Sequence, residues 1–146
     1  MGLFYIDDEY GQAGYDYIKT TFPESGLELV SADAFQKNEA DFRSVVRRAL
    51  ARTADVFFLF GYGPAALMVV NQLREQGYRG PLAGGYDLGV APLRTAGESV
   101  EGAYLPLAEG WFSKPAEEFK KSFRERYRAE AEWNAIIDYD ALMIVA

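Results

Sequence analysis

Apolar and polar residues follow one another in blocks, each short apolar run giving way to a stretch with helical spacing. Leu3, Phe4, Tyr5 and Ile6 make the first run. Residues 12–22 carry Gly14, Tyr17, Ile18 and Thr21 on one stripe, which predicts a helix closed by Pro23 and Gly26. Residues 27–34 alternate weakly and predict a second strand. Asp41 is placed to cap a helix in which Phe42, Val45, Val46, Ala49 and Leu50 share one face. Arg43, Arg47, Arg48 and Arg52 take the opposite side, read as a solvated face that also suits the helix dipole. Residues 56–60, the most apolar stretch, predict a central strand covered on both faces. Pro64 opens the next helix, with Ala66, Val69, Val70 and Leu73 as its buried stripe and Gly77 as its left-handed end. Residues 82–84 and 103–105 predict the fourth and fifth strands, with a short helix or turn at 91–96 between them.

Strand and helix therefore alternate over residues 2–105. Right-handed crossovers between parallel strands make this an α/β fold, a three-layer doubly wound parallel sheet of Rossmann or flavodoxin-like type. The expected strand order is 2-1-3-4-5. From Ala108 the pattern changes. Ser113 is a plausible cap with Glu117 and Glu118 in the first turn, and Phe119, Phe123 and Tyr127 follow at steps of four. A polar gap at 128–132 leads to Trp133 and a last helix from about residue 135. The chain divides into an α/β unit, residues 1–108, and C-terminal helices, residues 109–146.

Composition narrows the chemistry. A chain of 146 residues is a prior for one domain with its own core. The formal net charge of -7, without a basic run, argues against nucleic acid and anionic membranes as partners. There is no cysteine and no histidine. That argues against zinc and haem and removes a histidine base or cysteine nucleophile; no metal and no cofactor is expected. No apolar run approaches the roughly 18 residues of a membrane span, and no signal peptide is visible. Both ends read as cut, since Met1-Gly2 leads at once into a strand and Ala146 stops inside an apolar run. A piece of a longer protein is expected.

In a parallel sheet of this kind ligands bind outside the carboxyl ends of the strands. Three strand-ending stretches fall there: Asp7 to Gly14, Phe60 to Pro64, and Gly84 to Asp87. Asp7-Asp8 resembles the acidic pair of response-regulator receivers, but the aspartate and lysine that chemistry needs are replaced by Phe60-Gly61-Tyr62 and Leu105-Pro106-Leu107. A flavodoxin loop would be rich in serine and threonine, and the glycines lack dinucleotide spacing. Asp8 with Asp87 offers acid–base chemistry in principle, but no nucleophile accompanies it, so no enzyme is expected. Tyr10, Tyr62 and Tyr86 offer apolar faces with polar tips, suited to a small amphipathic ligand, and Asp87 or a neighbouring acid could pair with its ammonium group. Taken singly, each tyrosine is more often core or surface, and Asp7 and Asp8 could simply cap the following helix.

The fragments YIDDEYGQAGYDYIK, KNEADFRSVV, ADVFFLFGYGPAALMVVNQLREQGYRGPLAGG, AGESVEGAYLPL and YDALMIVA together closely resemble type I periplasmic solute-binding proteins, in particular the branched-chain amino acid binding family of ABC transporters. The likeness runs over nearly the whole chain; each fragment alone is weak, and the combination is specific. It implies two Rossmann-like lobes that close on a ligand, of which this chain matches the second. It implies a periplasmic or extracellular location, an ABC permease as partner, and a missing first lobe that holds the ligand carboxylate. Ligand contacts carry over to Tyr10 and Tyr62. The acid that binds the ligand ammonium after the fourth strand maps to Tyr86 counting from the strand, with Asp87 the nearest carboxylate; Tyr86 in that place would put the amino-acid preference in question. Residues 115–127 and 136–146 match helices that cover the first lobe, and without it a homodimer through them is expected. One lobe alone is expected to bind weakly. The alternative is a small-molecule sensory or regulatory domain of the same fold.

Overall fold

The computed structural model describes residues 1–85, 96–106 and 112–145. Five parallel strands, β1 (Gly2–Ile6), β2 (Ser31–Phe35), β3 (Phe57–Phe60), β4 (Leu82–Gly84) and β5 (Ala103–Tyr104), form one sheet in the order β2-β1-β3-β4-β5. The expected topology is therefore found. The short helix or turn expected at 91–96 falls almost wholly outside the described residues.

The strands are shorter than their apolar runs because pairing sets their length. β2 was expected from residue 27, but its partner β1 begins at Gly2, which registers with Ser31. Upstream of Ser31 the chain makes only isolated bonds, from Val30 N–H to the Met1 carbonyl and from the Met1 ammonium to the Glu28 carbonyl.

Helices α1 (Glu9–Thr21), α2 (Arg43–Leu50) and α3 (Gly63–Glu75) connect the strands. Right-handed crossovers put α1 on one face and α2 with α3 on the other. On the α2/α3 face Phe4, Ile6, Phe35, Phe57, Leu59 and Leu82 pack against Phe42, Val46, Val69, Val70 and Leu73 in one core. This is where the main apolar burial lies, and Phe4 and Phe57 stack with centroids 5.2 Å apart. The α1 face is thinner. Phe57 and Leu59 are buried, whereas Phe58 and Phe60 are only half-buried. The expectation that this strand is fully covered on both sides thus holds for one side. α1 approaches closely at Gly14, where an added Cβ would lie 2.1 Å from the Phe60 ring. Tyr17, expected on the buried stripe, is exposed, and the buried set is Gly11, Gly14 and Ile18.

Two polar details of α2 differ from expectation. Phe42, not Asp41, occupies the cap position; Asp41 accepts the Arg43 N–H at 3.0 Å, and the Phe42 N–H donates to Gln72 Oε1 at 2.6 Å. Arg48 is not simply solvated. Its Nε donates at 2.6 Å to Asp33 Oδ1, and Asp33 is only 5% exposed. Burial of a carboxylate in the sheet is offset by that partner. α3 ends as expected, with Gly77 at φ 93°.

The C-terminal part holds α4 (Lys114–Tyr127) and α5 (Trp133–Val145). Ser113 caps α4, its Oγ accepting the Ala116 N–H at 3.3 Å. Arg128 ends it in the left-handed region, φ 55°. Phe119 meets Tyr139 at 4.8 Å and so joins the two helices. α5 and the end of α4 leave apolar side chains open, with Tyr127, Ile137, Tyr139, Leu142, Met143 and Ile144 all exposed.

Candidate functional site

The site is built where β1 and β3 end side by side. β1 stops at Ile6, and the Asp7 N–H donates to the Phe35 carbonyl at 2.8 Å. Asp8 then takes an extended backbone, and its Oδ1 accepts the Gly11 N–H at 2.9 Å, the N-cap geometry of α1. That cap starts the helix at Glu9 rather than at residue 12. Tyr10 therefore stands on the first turn of α1, not in a loop. At the end of β3, Tyr62 is the extended residue before α3, with Pro64 in that helix's first turn.

These two tips meet. The Tyr62 hydroxyl donates to Asp8 Oδ2 at 2.6 Å, across 54 residues of sequence. The Tyr10 ring lies 4.6 Å from Phe60 at 19°, and 5.9 Å from Tyr62 at 59°. Tyr10 and Tyr62 are about one-third exposed, 37% and 38%. Tyr10, Phe60 and Tyr62 thus form one aromatic wall open to solvent at the carboxyl edge of the sheet. Gln36, at the end of β2, donates from Nε2 to Asp7 Oδ2.

The hydrogen bond from Tyr62 is the first cause, and that from Gly11 N–H the second, that hold the Asp8 carboxyl below its ordinary value; Lys37 adds to the effect. Both oxygens of Asp8 already accept a bond, so it is an orienting anion rather than an idle one. Among the described residues no group of three or more acidic, histidine or cysteine side chains is placed to hold a metal ion.

Of the four residues expected in the site, the structure brings Tyr10 and Tyr62 together. Tyr86 and Asp87 lie outside the described residues. The chain leading to them leaves β4 at Gly85, whose N–H donates to the Leu59 carbonyl at 3.2 Å, so it departs on the same edge. Phe60 was not singled out as a site residue. The signal available was its even spacing with Phe58 on the thinly covered face. The Asp8–Tyr62 bond had no sequence signal.

A second concavity, about 750 Å³, lies at the opposite edge and is lined by polar residues, among them Asn71, Arg74, Glu98 and Glu101. Both of its arginines are engaged by backbone, Arg79 donating to the carbonyls of Arg74 and Tyr78. Arg74 donates to the carbonyls of Tyr78, Gly80, Ser99 and Glu101 at 2.8–3.4 Å. The aromatic wall, not this cleft, has the apolar faces a small amphipathic solute needs.

The chain is 26% identical over 137 residues to "Leu/Ile/Val-binding protein homolog 7" of Brucella abortus, covering 87% of this chain and 34% of that protein. It is 33% identical over 77 residues to the "Amino acid binding protein" of Pseudomonas aeruginosa, covering 53% of this chain and 21% of that protein. An extracellular ligand-binding receptor from Rhodopseudomonas palustris HaA2 superposes with a TM-score of 0.83 at 22% identity, over 99% of this chain and 44% of the receptor. The branched-chain amino acid transporter substrate binding protein LivJ of Streptococcus pneumoniae, in complex with isoleucine, superposes with a TM-score of 0.77 at 25% identity, over 99% of this chain and 42% of that protein. The chain spans about a third of the length of the Brucella relative. The profile of the family described as "Periplasmic binding protein" matches residues 1–146, and the chain belongs to that family.

Proposed function

We propose that this chain is one lobe of an extracytoplasmic solute-binding receptor serving ABC-type uptake of amino acids or similar small amphipathic solutes. The observation that carries the reading is the aromatic wall of Tyr10, Phe60 and Tyr62 at the carboxyl edge of the sheet. Family membership and the likeness to an isoleucine-bound neighbour support it. Residues 1–108 are the lobe, and Tyr86 and Asp87 are its further candidate ligand contacts. The other half of the pocket, together with a permease partner, belongs to the longer receptor.

Binding by this lobe alone is weak. A receptor with micromolar affinity has about -8 kcal/mol of binding free energy, and a lobe supplying half of it falls to about millimolar. Rigid-body entropy is lost in full either way. Titration of ¹³C-tyrosine-labelled protein with L-leucine should shift the signals of Tyr10 and Tyr62 with a millimolar midpoint. Flat signals for both at saturating L-leucine would refute the reading.

The partner for residues 109–146 in this chain is a second copy. Tyr127, Ile137, Tyr139, Leu142, Met143 and Ile144 are each at least 45% exposed, around α5 and at the end of α4. Exposed apolar surface of this kind favours association. Charge also matches. α4 carries Lys114, Lys120, Lys121, Arg124 and Arg126 against Glu117, Glu118 and Glu125 and is basic on balance, whereas the charged residues of α5 are Asp138 and Asp140. A twofold pairing sets α4 of each copy against α5 of the other.

A further inference from the structure

The Asp8 carboxylate touches both tips of the rim. Its Oδ1 holds the first turn of α1, which carries Tyr10, and its Oδ2 holds the hydroxyl of Tyr62 at the head of α3. A carboxylate accepts several hydrogen bonds, and bonds to an ionised acceptor are short and strong. Both bonds here, 2.9 Å and 2.6 Å, fit that description. The Tyr62 ring is therefore not a loop side chain waiting for a solute. It is fixed beside Tyr10, which in turn stacks on Phe60.

The same geometry decides what Asp8 does not do. An ammonium anchor is best served by a carboxylate that no other group has oriented. Each oxygen of Asp8 is already engaged, one by a backbone N–H and one by a phenol. The adjacent Asp7 is likewise engaged, by Gln36. The surface the wall shows to solvent is made of ring faces, which receive hydrocarbon.

We propose that Asp8 is a positioning residue: by clamping Tyr62 to the cap of α1 it presets an apolar wall for the hydrocarbon part of the solute, and it does not read the solute's ammonium group. This rests on the reading of the rim as a binding site. Pre-organisation of this kind raises affinity by removing the ordering cost from the binding step.

The test uses two probes that differ only in charge: L-leucine and its deaminated analogue, 4-methylpentanoate. Asp8→Asn keeps a carbonyl oxygen to cap α1 and can meet the Tyr62 hydroxyl only through its neutral NH2, so it removes the charge that makes the clamp strong. Tyr62→Phe keeps the ring and removes only the hydroxyl. Each substitution should weaken both probes by a similar factor, roughly tenfold, the size of one charge-assisted hydrogen bond. The double variant should lose little more than either single one, because both break the same clamp.

A readout without ligand separates this from a purely structural role. In the ¹³C titration of the Asp8 carboxyl, Tyr62→Phe should move the midpoint up toward the ordinary carboxylate value. Selective loss of L-leucine over 4-methylpentanoate in Asp8→Asn would overturn the proposal by making Asp8 an ammonium ligand. Additive losses in the double variant, or an Asp8 midpoint unmoved in Tyr62→Phe, would overturn the clamp itself. Failure of the unmodified protein to respond to either probe would refute the binding reading instead, with the Asp8 midpoint still reporting on the clamp. Should Asp8→Asn not fold, Tyr62→Phe alone carries both measurements.

Discussion

Asp8 shows how much one side chain can settle at the end of a strand. Its carboxyl titrates below the ordinary value of 3.8 because the folded state favours the charged form, chiefly through Tyr62. The sign follows directly. A group whose folded-state value is depressed contributes stability above its unfolded value and loses it as pH falls through the lower, folded value. The stability gap between the unmodified protein and Asp8→Asn should therefore be widest at neutral pH and shrink on acidification below 3.8. Urea unfolding of both proteins across that range checks it; a gap that widens in acid would contradict it. Residue identity was legible where residue partnership was not. Tyr10 and Tyr62 could be picked out from strand ends and from resemblance, and Asp8 was visible as a cap. That the same carboxylate also receives Tyr62 depends on how the tips of β1 and β3 lie beside each other, which no local pattern encodes.

At the scale of the element, the apolar runs located the five strands and the helical spacing located α1, α2 and α3. The boundaries depended on partners. β2 is short because β1 gives it nothing to pair with before Ser31, and α1 is long because Asp8 caps it early. The arginine face of α2 misled for a similar reason. Spacing placed Arg48 opposite the buried stripe, but a long side chain can reach back, and here it neutralises Asp33 of β2. Arg48→Ala leaves that buried carboxylate unpaired and should destabilise the fold by about 2 kcal/mol. A companion change, Asp33→Asn with Arg48→Ala, should recover part of the loss. Chemical denaturation of the two variants reports both effects, and an unchanged midpoint for Arg48→Ala would show the pair to be inert.

At the scale of the molecule, the sheet is asymmetric: one face is sealed by α2 and α3, the other is thinly covered, and the C-terminal helices leave an apolar surface open. The two-copy arrangement proposed for that surface predicts concentration-dependent mass in light scattering, approaching twice that of the 16.3 kDa chain. Leu142→Glu and Ile144→Glu should return the protein to a single copy without altering the Tyr10 and Tyr62 signals. A single-copy mass at high concentration would refute the arrangement. The overall topology was readable from alternation alone, because parallel strands and right-handed connections leave few alternatives. The packing of residues 109–146 was not, since their apolar faces do not say what they cover.

The four carbonyls held by Arg74 precede β4 and β5, at the edge of the sheet farthest from the aromatic wall. The anchor of the outer strands is thus kept apart from the wall proposed to meet solute. Exchanging the exposed ring of Tyr10 should therefore leave the seating of β4 and β5 undisturbed.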